Sequence, residues 1–195
     1  METTVPDHIE GLIFDCDGTL ADTMPLHWEA WSRIASKYGI RFTEERFYAL
    51  GGMPTPDVVR VINRESGTSF DPDSLAQEKE AAYLDQLPKV TAIEPVVAVA
   101  RAYKGRLPMA VASGGRRDIV RHVIEGLGIA DWFDAVVTCE DVQNQKPAPD
   151  MFLEAARRLK VPADRCQAYE DSVFGIQAIE AAGMRAIDIR EWVAA

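Results

Sequence analysis

Five short apolar segments, separated mostly by helical patterns, limit the folds that this chain of 195 residues can adopt. Each segment is four or five residues long and apolar on both faces, as expected of strands buried in a parallel sheet. The repeated order of strand, helix and strand implies right-handed crossovers, with helices covering both faces of the sheet. The sequence therefore predicts an α/β fold with a parallel sheet, whose strands are residues 11–14, 108–112, 135–138, 166–169 and 186–189.

The segment 22–91 interrupts this alternation, because it carries helix signals and no strand pattern. Thr43 before two glutamates and Asp71 before a proline are typical of helix N-termini. We therefore predict that residues 1–21 and 92–195 form the core, and that residues 22–91 form an inserted, all-helical domain.

Composition narrows the range of partners. The 31 acidic residues outnumber the 21 basic ones, and the net charge of −10 disfavours binding to nucleic acids or anionic membranes. The longest apolar run is far shorter than a bilayer span, and the three cysteines show neither disulfide nor zinc spacing. We expect a cytoplasmic protein, monomeric or weakly dimeric, whose partner is a small molecule and neither a nucleic acid nor a membrane.

Two carboxylates follow the first predicted strand. A spacing of two residues at a strand end directs Asp15 and Asp17 to the same side of the sheet, where a divalent metal would offset their repulsion. Gly18 permits a tight turn, and Thr19 offers a hydroxyl and an amide to a phosphate. Taken alone, these residues fit an ordinary turn equally well, since Asp-Gly is a common turn pair.

Other strand ends supply further polar groups. Ser113 and Gly114 follow the second strand, Lys146 lies in the loop after the third, and Glu170 and Asp171 follow the fourth. Each has an ordinary structural explanation: a helix cap, a solvated loop cation, or an acidic helix N-terminus. Because ligands bind in the crevice at the carboxyl ends of parallel strands, the combination indicates a site for a metal and a phosphate.

The residue types predict a role for each member of this site. Asp15 and Asp171 hold Mg²⁺, with Glu170 behind them, and Ser113 with neighbouring amides binds phosphate oxygens. Lys146 neutralises both the nucleophile and the transferring phosphoryl group.

The order of these motifs resembles the haloacid dehalogenase superfamily. The four motifs of that superfamily match residues 15–19, Ser113, Lys146 and residues 170–171, so that the resemblance spans nearly the whole chain. It implies a Rossmann-like core, a helical cap inserted after the first strand, and Mg²⁺ as cofactor.

The resemblance also implies a mechanism. An aspartyl-phosphate forms on Asp15, while Asp17 protonates the leaving alcohol, then activates water, and contributes its backbone carbonyl to the metal. Mg²⁺ and Lys146 offset the charge that makes an aspartate a poor nucleophile toward phosphate. A dry site and the charge of Asp15 are expected to raise the pKa of Asp17, as an acid requires.

Within the superfamily, the segments around His27, at residues 49–55 and at residues 170–177 resemble the beta-phosphoglucomutase-like group, and more closely the bacterial fructose-1-phosphate phosphatases. The implied substrate is a small phosphorylated metabolite, a sugar phosphate such as fructose 1-phosphate. The mutases carry a lysine and an arginine that hold a second phosphate, and Gly51 and Thr55 match those positions here. This difference favours hydrolysis over a mutase reaction, which remains the alternative.

Three residues of the insertion have two explanations each. His27 matches the histidine that couples cap closure to proton transfer by Asp17 in the mutases, or it packs beside Trp31 one turn later. Gly51 and Gly52 let the backbone approach substrate hydroxyls, or they end the preceding helix.

Two other classes of protein fit part of this pattern. Response-regulator receivers, which are signalling domains, place an aspartate, an acidic pair, a Ser/Thr and a lysine at the edge of a parallel sheet. Asp17 and the helical insertion disfavour that interpretation. A metal-free dehalogenase is disfavoured because Asp17 and the acidic pair would have no task in it.

Overall fold

The computed structural model describes residues 4–193, and a five-stranded parallel sheet lies at its centre. The strands follow the spatial order β3-β2-β1-β4-β5, and every neighbouring pair is parallel. This sheet confirms the predicted α/β fold, and each observed strand end lies within one residue of the predicted one. The strands are β1 Gly11–Phe14, β2 Met109–Ala112, β3 Ala135–Val137, β4 Cys166–Glu170 and β5 Arg185–Asp188.

Strand β1 is central because its side chains are apolar on both faces. Leu12 and Phe14 pack into one buried cluster, and Ile13 packs into a second cluster on the opposite face. β1 has β2 on one side and β4 on the other, so the chain order of the strands reverses at β1. In open parallel sheets, the crevice outside such a reversal is the usual place for a ligand.

Four helices connect β1 to the second half of the core. A hydrophobic cluster that contains Trp31, Val59 and Leu75 packs among them. At the base of the connection, Ala21 and Ala92 form an antiparallel bridge, which brings the two ends of the insertion together. The helices are α1 Met24–Tyr38, α2 Glu44–Ala49, α3 Thr55–Ser66 and α4 Pro72–Leu84.

The remaining helices cover the sheet. Helices α5 and α6 contribute to the cluster that contains Phe14, whereas α7 and α8 contribute to the cluster that contains Ile13. Within residues 4–193, no helix combines the length and the hydropathy that crossing a membrane requires. These helices are α5 Glu94–Tyr103, α6 Arg117–Gly126, α7 Asp150–Leu159, α8 Val173–Ala181 and α9 Arg190–Val193.

Side-chain caps begin two of the insertion helices. The side chains of Thr43 and Asp71 accept hydrogen bonds from backbone N–H groups of α2 and α4, as the sequence predicts. Thr23 precedes α1 without capping it, and its hydroxyl donates instead to Asp17 at 2.8 Å. The start of α1 thereby connects the insertion to the end of β1.

The predicted division into a core and a cap leads to a test by hydrogen exchange. Ile62→Ala removes a buried side chain of α3, and we expect the stability of residues 24–84 to fall by about 2–5 kcal/mol. Amides in this range should exchange faster while those of the sheet keep their rates. Ile124→Ala in α6 is the matched control. It should speed the exchange of amides in the sheet while those of residues 24–84 keep their rates. Equal acceleration in both regions would contradict the division.

Candidate active site

The ammonium group of Lys146 joins the ends of two neighbouring strands. Its Nζ donates to Asp15 Oδ1 at 2.6 Å and to Glu170 Oε2 at 2.7 Å. Asp15 directly follows β1, and Glu170 is the last residue of β4. Burial lowers the pKa of Lys146, but the charges of Asp15 and Glu170 outweigh it and raise the pKa above its usual value. Lys146 therefore keeps its positive charge in contact with the carboxylate of Asp15.

Three carboxylates cluster beside this ammonium group, which contacts two of them. Asp15, Glu170 and Asp171 each offer an oxygen, and these oxygens lie within 4.8 Å of one another. Burial and the charge of Glu170 raise the pKa of Asp15, and the same two causes raise the pKa of Asp171 to about 7. Hard carboxylate oxygens with excess negative charge are the donor set that Mg²⁺ prefers. These residues fit the predicted cofactor, and Glu170 lies within the cluster itself.

The acidic cluster is held by very close packing. A Cβ atom at Gly175 would lie 2.0 Å from Glu170 Cδ, and one at Gly18, where φ is +84°, would lie 2.4 Å from Asp171 Oδ2. Thr19 Oγ1 donates to Asp171 Oδ1 at 3.0 Å. The predicted phosphate ligand Thr19 therefore directs its hydroxyl to an acidic residue of the site.

Asp17 faces away from this cluster. Its Oδ1 accepts hydrogen bonds from Thr23 Oγ1 at 2.8 Å and from His27 Nε2 at 3.4 Å. Its Oδ2 lies 3.4 Å from Ser113 Oγ. Burial raises the pKa of Asp17, but the hydrogen bonds from His27 and Thr23 outweigh burial and lower the pKa to about 2. The expected rise is wrong for this arrangement, because donors from the insertion stabilise the ionised carboxylate.

His27 is held on both of its nitrogens. Lys79 Nζ lies 2.7 Å from His27 Nδ1, and an ammonium group can only donate, so His27 Nε2 carries the hydrogen directed at Asp17. The ring of Tyr83 stacks on the imidazole with centroids 3.8 Å apart. Burial, followed by the charge of Lys79, lowers the pKa of His27. His27 therefore contacts Asp17 directly and does not merely pack.

Lys79 was not identified from the sequence as part of the site. It lies on α4 with 2% of its surface exposed, between the buried residues Leu75 and Tyr83 on the same helix face. A lysine at the spacing of inward-facing residues is the signal that could have revealed it.

Ser113 and Gly114 occupy the loop after β2. Ser113 Oγ accepts from the backbone N–H of Gly115 at 3.0 Å and is not the cap of α6, which begins at Arg117 after Arg116. No heavy atom lies within 4 Å of a Cβ built on Gly114, so the loop is open at that position.

A cavity of about 510 Å³ lies between the carboxyl ends of the strands and helices α1 to α4. This volume is in the range of pockets that bind small molecules. Thr19 does not line it and is buried behind Asp171. The other predicted site residues line the cavity: Asp15, Asp17, His27, Gly51, Gly52, Ser113, Gly114, Lys146, Glu170 and Asp171.

The loop of Gly51 and Gly52 approaches the core more closely than a side chain would permit. Helix α2 ends at Ala49, before either glycine. A Cβ atom at Gly52, where φ is +80°, would lie 2.6 Å from Ser172 Oγ. The close approach in the structure is therefore between this loop and the first turn of α8.

Asp141 connects the loop that carries Lys146 to helices α6 and α7, and its role was not identified from the sequence. Its Oδ1 accepts from Arg117 Nη2 at 2.7 Å and also from Arg158, while its Oδ2 accepts from the backbone N–H of Thr138 at 2.9 Å. Thr138 and Asp141 form a capping box, a pattern that the sequence displays.

Comparison with known proteins agrees with this geometry. The family model described as haloacid dehalogenase-like hydrolase matches residues 12–189. The chain belongs to this family.

Named relatives of this haloacid dehalogenase-like hydrolase include phosphatases and a mutase. A fructose-1-phosphate phosphatase from Escherichia coli (strain K12) is 41% identical over 180 residues, which cover 92% of this chain and 96% of the relative. A phosphorylated carbohydrates phosphatase from Thermotoga maritima is 27% identical over 183 residues, which cover 92% and 84%. The solved structure of a beta-phosphoglucomutase from Clostridium difficile superposes with a TM-score of 0.84 and 27% identity, covering 92% of this chain and 84% of that one.

Membership confirms the predicted family and its Rossmann-like fold. The prediction of a phosphoric monoester hydrolase agrees with the family and with the relatives named as phosphatases. Hydrolases of this family generally use Mg²⁺, and Asp15, Glu170 and Asp171 supply an acidic cluster of the kind that binds it.

The packing of α8 against the acidic cluster predicts the effect of adding one methyl group. Gly175→Ala should push Glu170 from its place, lower the free energy of unfolding by about 1–3 kcal/mol, and weaken Mg²⁺ binding. Urea denaturation and calorimetric titration measure the two effects. Gly126→Ala in α6 is the control, because nothing lies within 4 Å of its Cβ. An unchanged Mg²⁺ affinity in Gly175→Ala would show that Glu170 is not held in this way.

The bonds of Asp141 predict a pH-dependent contribution to stability. Burial raises the pKa of Asp141, but hydrogen bonds from Arg158 and Arg117 outweigh it and lower the pKa below its usual value. Asp141→Asn should therefore lose about 2 kcal/mol at neutral pH. Because the folded pKa is the lower one, this difference from wild type should be full above about pH 4 and shrink as the pH falls further.

Urea denaturation of both proteins between pH 7 and pH 3 measures this difference. Asp164→Asn, at an exposed position, is the control and should change little at any pH. A difference that stays constant down to pH 3 would exclude the ion pairs of Asp141 as its cause.

Proposed function

We propose that this hydrolase removes phosphate from a small phosphorylated sugar in a Mg²⁺-dependent reaction, through an aspartyl-phosphate on Asp15. The observation that carries the proposal is the pair of carboxylates in the cavity, of which Asp15 is held by Lys146 and Asp17 by the insertion. Fructose 1-phosphate is the first candidate substrate, because the E. coli relative is named for it.

The metal has a suitable set of ligands. Asp15, Asp171 and the backbone carbonyl of Asp17 would hold Mg²⁺, with Glu170 beside them. When bound, Mg²⁺ supplies positive charge that offsets the charge of the nucleophile and of the phosphoryl group.

Asp15 is the proposed nucleophile. Lys146 binds its Oδ1, which fixes the orientation of the carboxylate. In the first step, a carboxylate oxygen of Asp15 forms a bond to phosphorus, and the bond from phosphorus to the sugar oxygen breaks. The Lys146 ammonium group and the backbone amides of the Ser113 loop stabilise the negative charge of the transferring group.

Asp17 is the proposed acid and base. Thr23 and His27 both bind Oδ1, whereas Oδ2 accepts only a longer hydrogen bond, from Ser113 Oγ at 3.4 Å, so Oδ2 is the oxygen proposed to exchange a proton with the substrate. In the first step, Asp17 gives a proton to the departing sugar oxygen. In the second, it takes a proton from water as that water attacks the aspartyl-phosphate, which releases inorganic phosphate and restores both carboxyl groups. The ionised form that His27 and Thr23 stabilise is the one that the second step requires.

The insertion, residues 22–91, is proposed to act as a cap over the cavity. It contributes His27, Gly51 and Thr55 to the lining, while the core contributes Asp15 and Lys146. Closure of such a cap excludes water from the first step. The absence of cations at Gly51 and Thr55 supports a phosphatase over a mutase.

The proposal predicts phosphate release from sugar phosphates in the presence of Mg²⁺. Asp15→Asn should lower kcat by about 10³-fold or more, because it removes the nucleophile. Asp17→Asn should lower it by about 10²- to 10⁴-fold, the usual contribution of acid–base catalysis. Removing Mg²⁺ with a chelator should abolish turnover and readdition should restore it, as measured by release of inorganic phosphate.

Asp164→Asn serves as the control for charge removal, since Asp164 is exposed and does not line the cavity. Full activity of Asp15→Asn, or no phosphate release from any sugar phosphate in a panel, would refute the proposal.

A further inference from the structure

The insertion places a carboxylate in the wall of the cavity opposite the catalytic residues. Glu80, on α4, lines the cavity with 19% of its side chain exposed. Its Oε1 accepts hydrogen bonds from Thr55 Oγ1 at 2.8 Å and from Lys79 Nζ at 3.1 Å. Both donors belong to the insertion, so the orientation of Glu80 is fixed before any ligand enters.

The second carboxylate oxygen of Glu80 is available to a ligand. Across residues 4–193, no protein group donates a hydrogen bond to Oε2, and this oxygen is not among the atoms sealed from solvent. A carboxylate oxygen has lone pairs for hydroxyl donors and strengthens such bonds through its charge.

The lysines and arginines that line the cavity are already engaged with carboxylates or with His27. Lys146 binds Asp15 and Glu170. Lys79 binds His27 and Glu80.

At the mouth, Arg116 forms two hydrogen bonds with Asp118, at 3.1 and 2.9 Å. Within the described part of the chain, every lysine and arginine of the lining therefore already has a carboxylate partner.

Neutral and anionic groups of a ligand would interact differently with Glu80. A sugar hydroxyl near α4 can donate to Oε2 of Glu80. A second phosphate or a carboxylate in the same place would face the charge of Glu80, while the nearest cation, Lys79, is already bound to Glu80 and His27, in a site where burial reduces screening by water. Like charges opposed in this way are a common means of rejecting a wrong partner.

We infer that Glu80 is a specificity-determining residue, which accepts hydrogen bonds from the hydroxyls of an uncharged polyol leaving group and repels substrates that carry a second anionic group. The inference rests on the proposed function and narrows its substrate class to monophosphates of neutral sugars or polyols.

A binding measurement separates this inference from catalysis. In an Asp15→Asn background, calorimetry with Mg²⁺ gives the Kd of fructose 1-phosphate and of fructose 1,6-bisphosphate, which share a sugar and differ in the second phosphate. We expect the bisphosphate to bind at least about tenfold more weakly. Adding Glu80→Gln should reduce this ratio by about tenfold, because it removes the charge and keeps the shape.

Two further variants separate charge from position. Glu78→Gln, on the same helix, removes a carboxylate that binds Lys37 and the Tyr38 hydroxyl away from the cavity, and it should leave the ratio unchanged. Thr55→Val removes a donor to Glu80 while keeping the charge, so that discrimination against the bisphosphate should persist.

Ionic strength provides a test that needs no substitution at Glu80. With Glu80 intact, raising the salt concentration should reduce discrimination against the bisphosphate, because screening weakens repulsion. A ratio that Glu80→Gln and salt both leave unchanged, or the absence of binding by fructose 1-phosphate, overturns the inference. If the ratio changes as expected while the wild type releases no phosphate, the proposed function fails and the selectivity of the cavity stands.

Discussion

The contact of Lys146 with Asp15 and Glu170 is the constraint on which the rest of the site depends. Parallel strands bring like charges together at one edge of the sheet, and β1 and β4 are neighbours there. Removing one partner of a buried ion pair typically costs about 3–5 kcal/mol, because the remaining charge is left without compensation. The loop after β3 must therefore reach past β2 to deliver its ammonium group, and Asp141 holds that loop to the first residue of α6.

The two carboxylate oxygens of Asp17 contact different parts of the molecule. Oδ1 of Asp17 is bound by Thr23 and His27 from the insertion, whereas Oδ2 faces Ser113 from the core. Lys79 and Tyr83 hold His27 from α4, so the position of that helix determines how strongly Asp17 retains its negative charge. The charge of Asp17 and the placement of the insertion are thus physically coupled.

The residues that sequence patterns identified are those whose positions follow from the backbone. Asp15, Ser113 and Asp171 come together because parallel strands end at the same edge, which the order of strands and helices already implies. Lys79 and Asp141 were missed because their roles depend on the rotation of a helix and on the path of a loop, which short-range patterns do not specify. The pKa of Asp17 was predicted with the wrong sign for the same reason, since its donors lie on α1 or just before it and their orientation was not known.

The missing side chain at Gly52 affects how closely the insertion approaches the core. Its backbone rests against Ser172, whose hydroxyl also donates to Glu170 and begins helix α8. A single methyl group at this position would force the loop away from Ser172, since its carbon would come within 2.6 Å of the hydroxyl oxygen. The contact between this loop and the start of α8 therefore depends on an absent side chain, and any larger residue at position 52 would hold the insertion farther from the core.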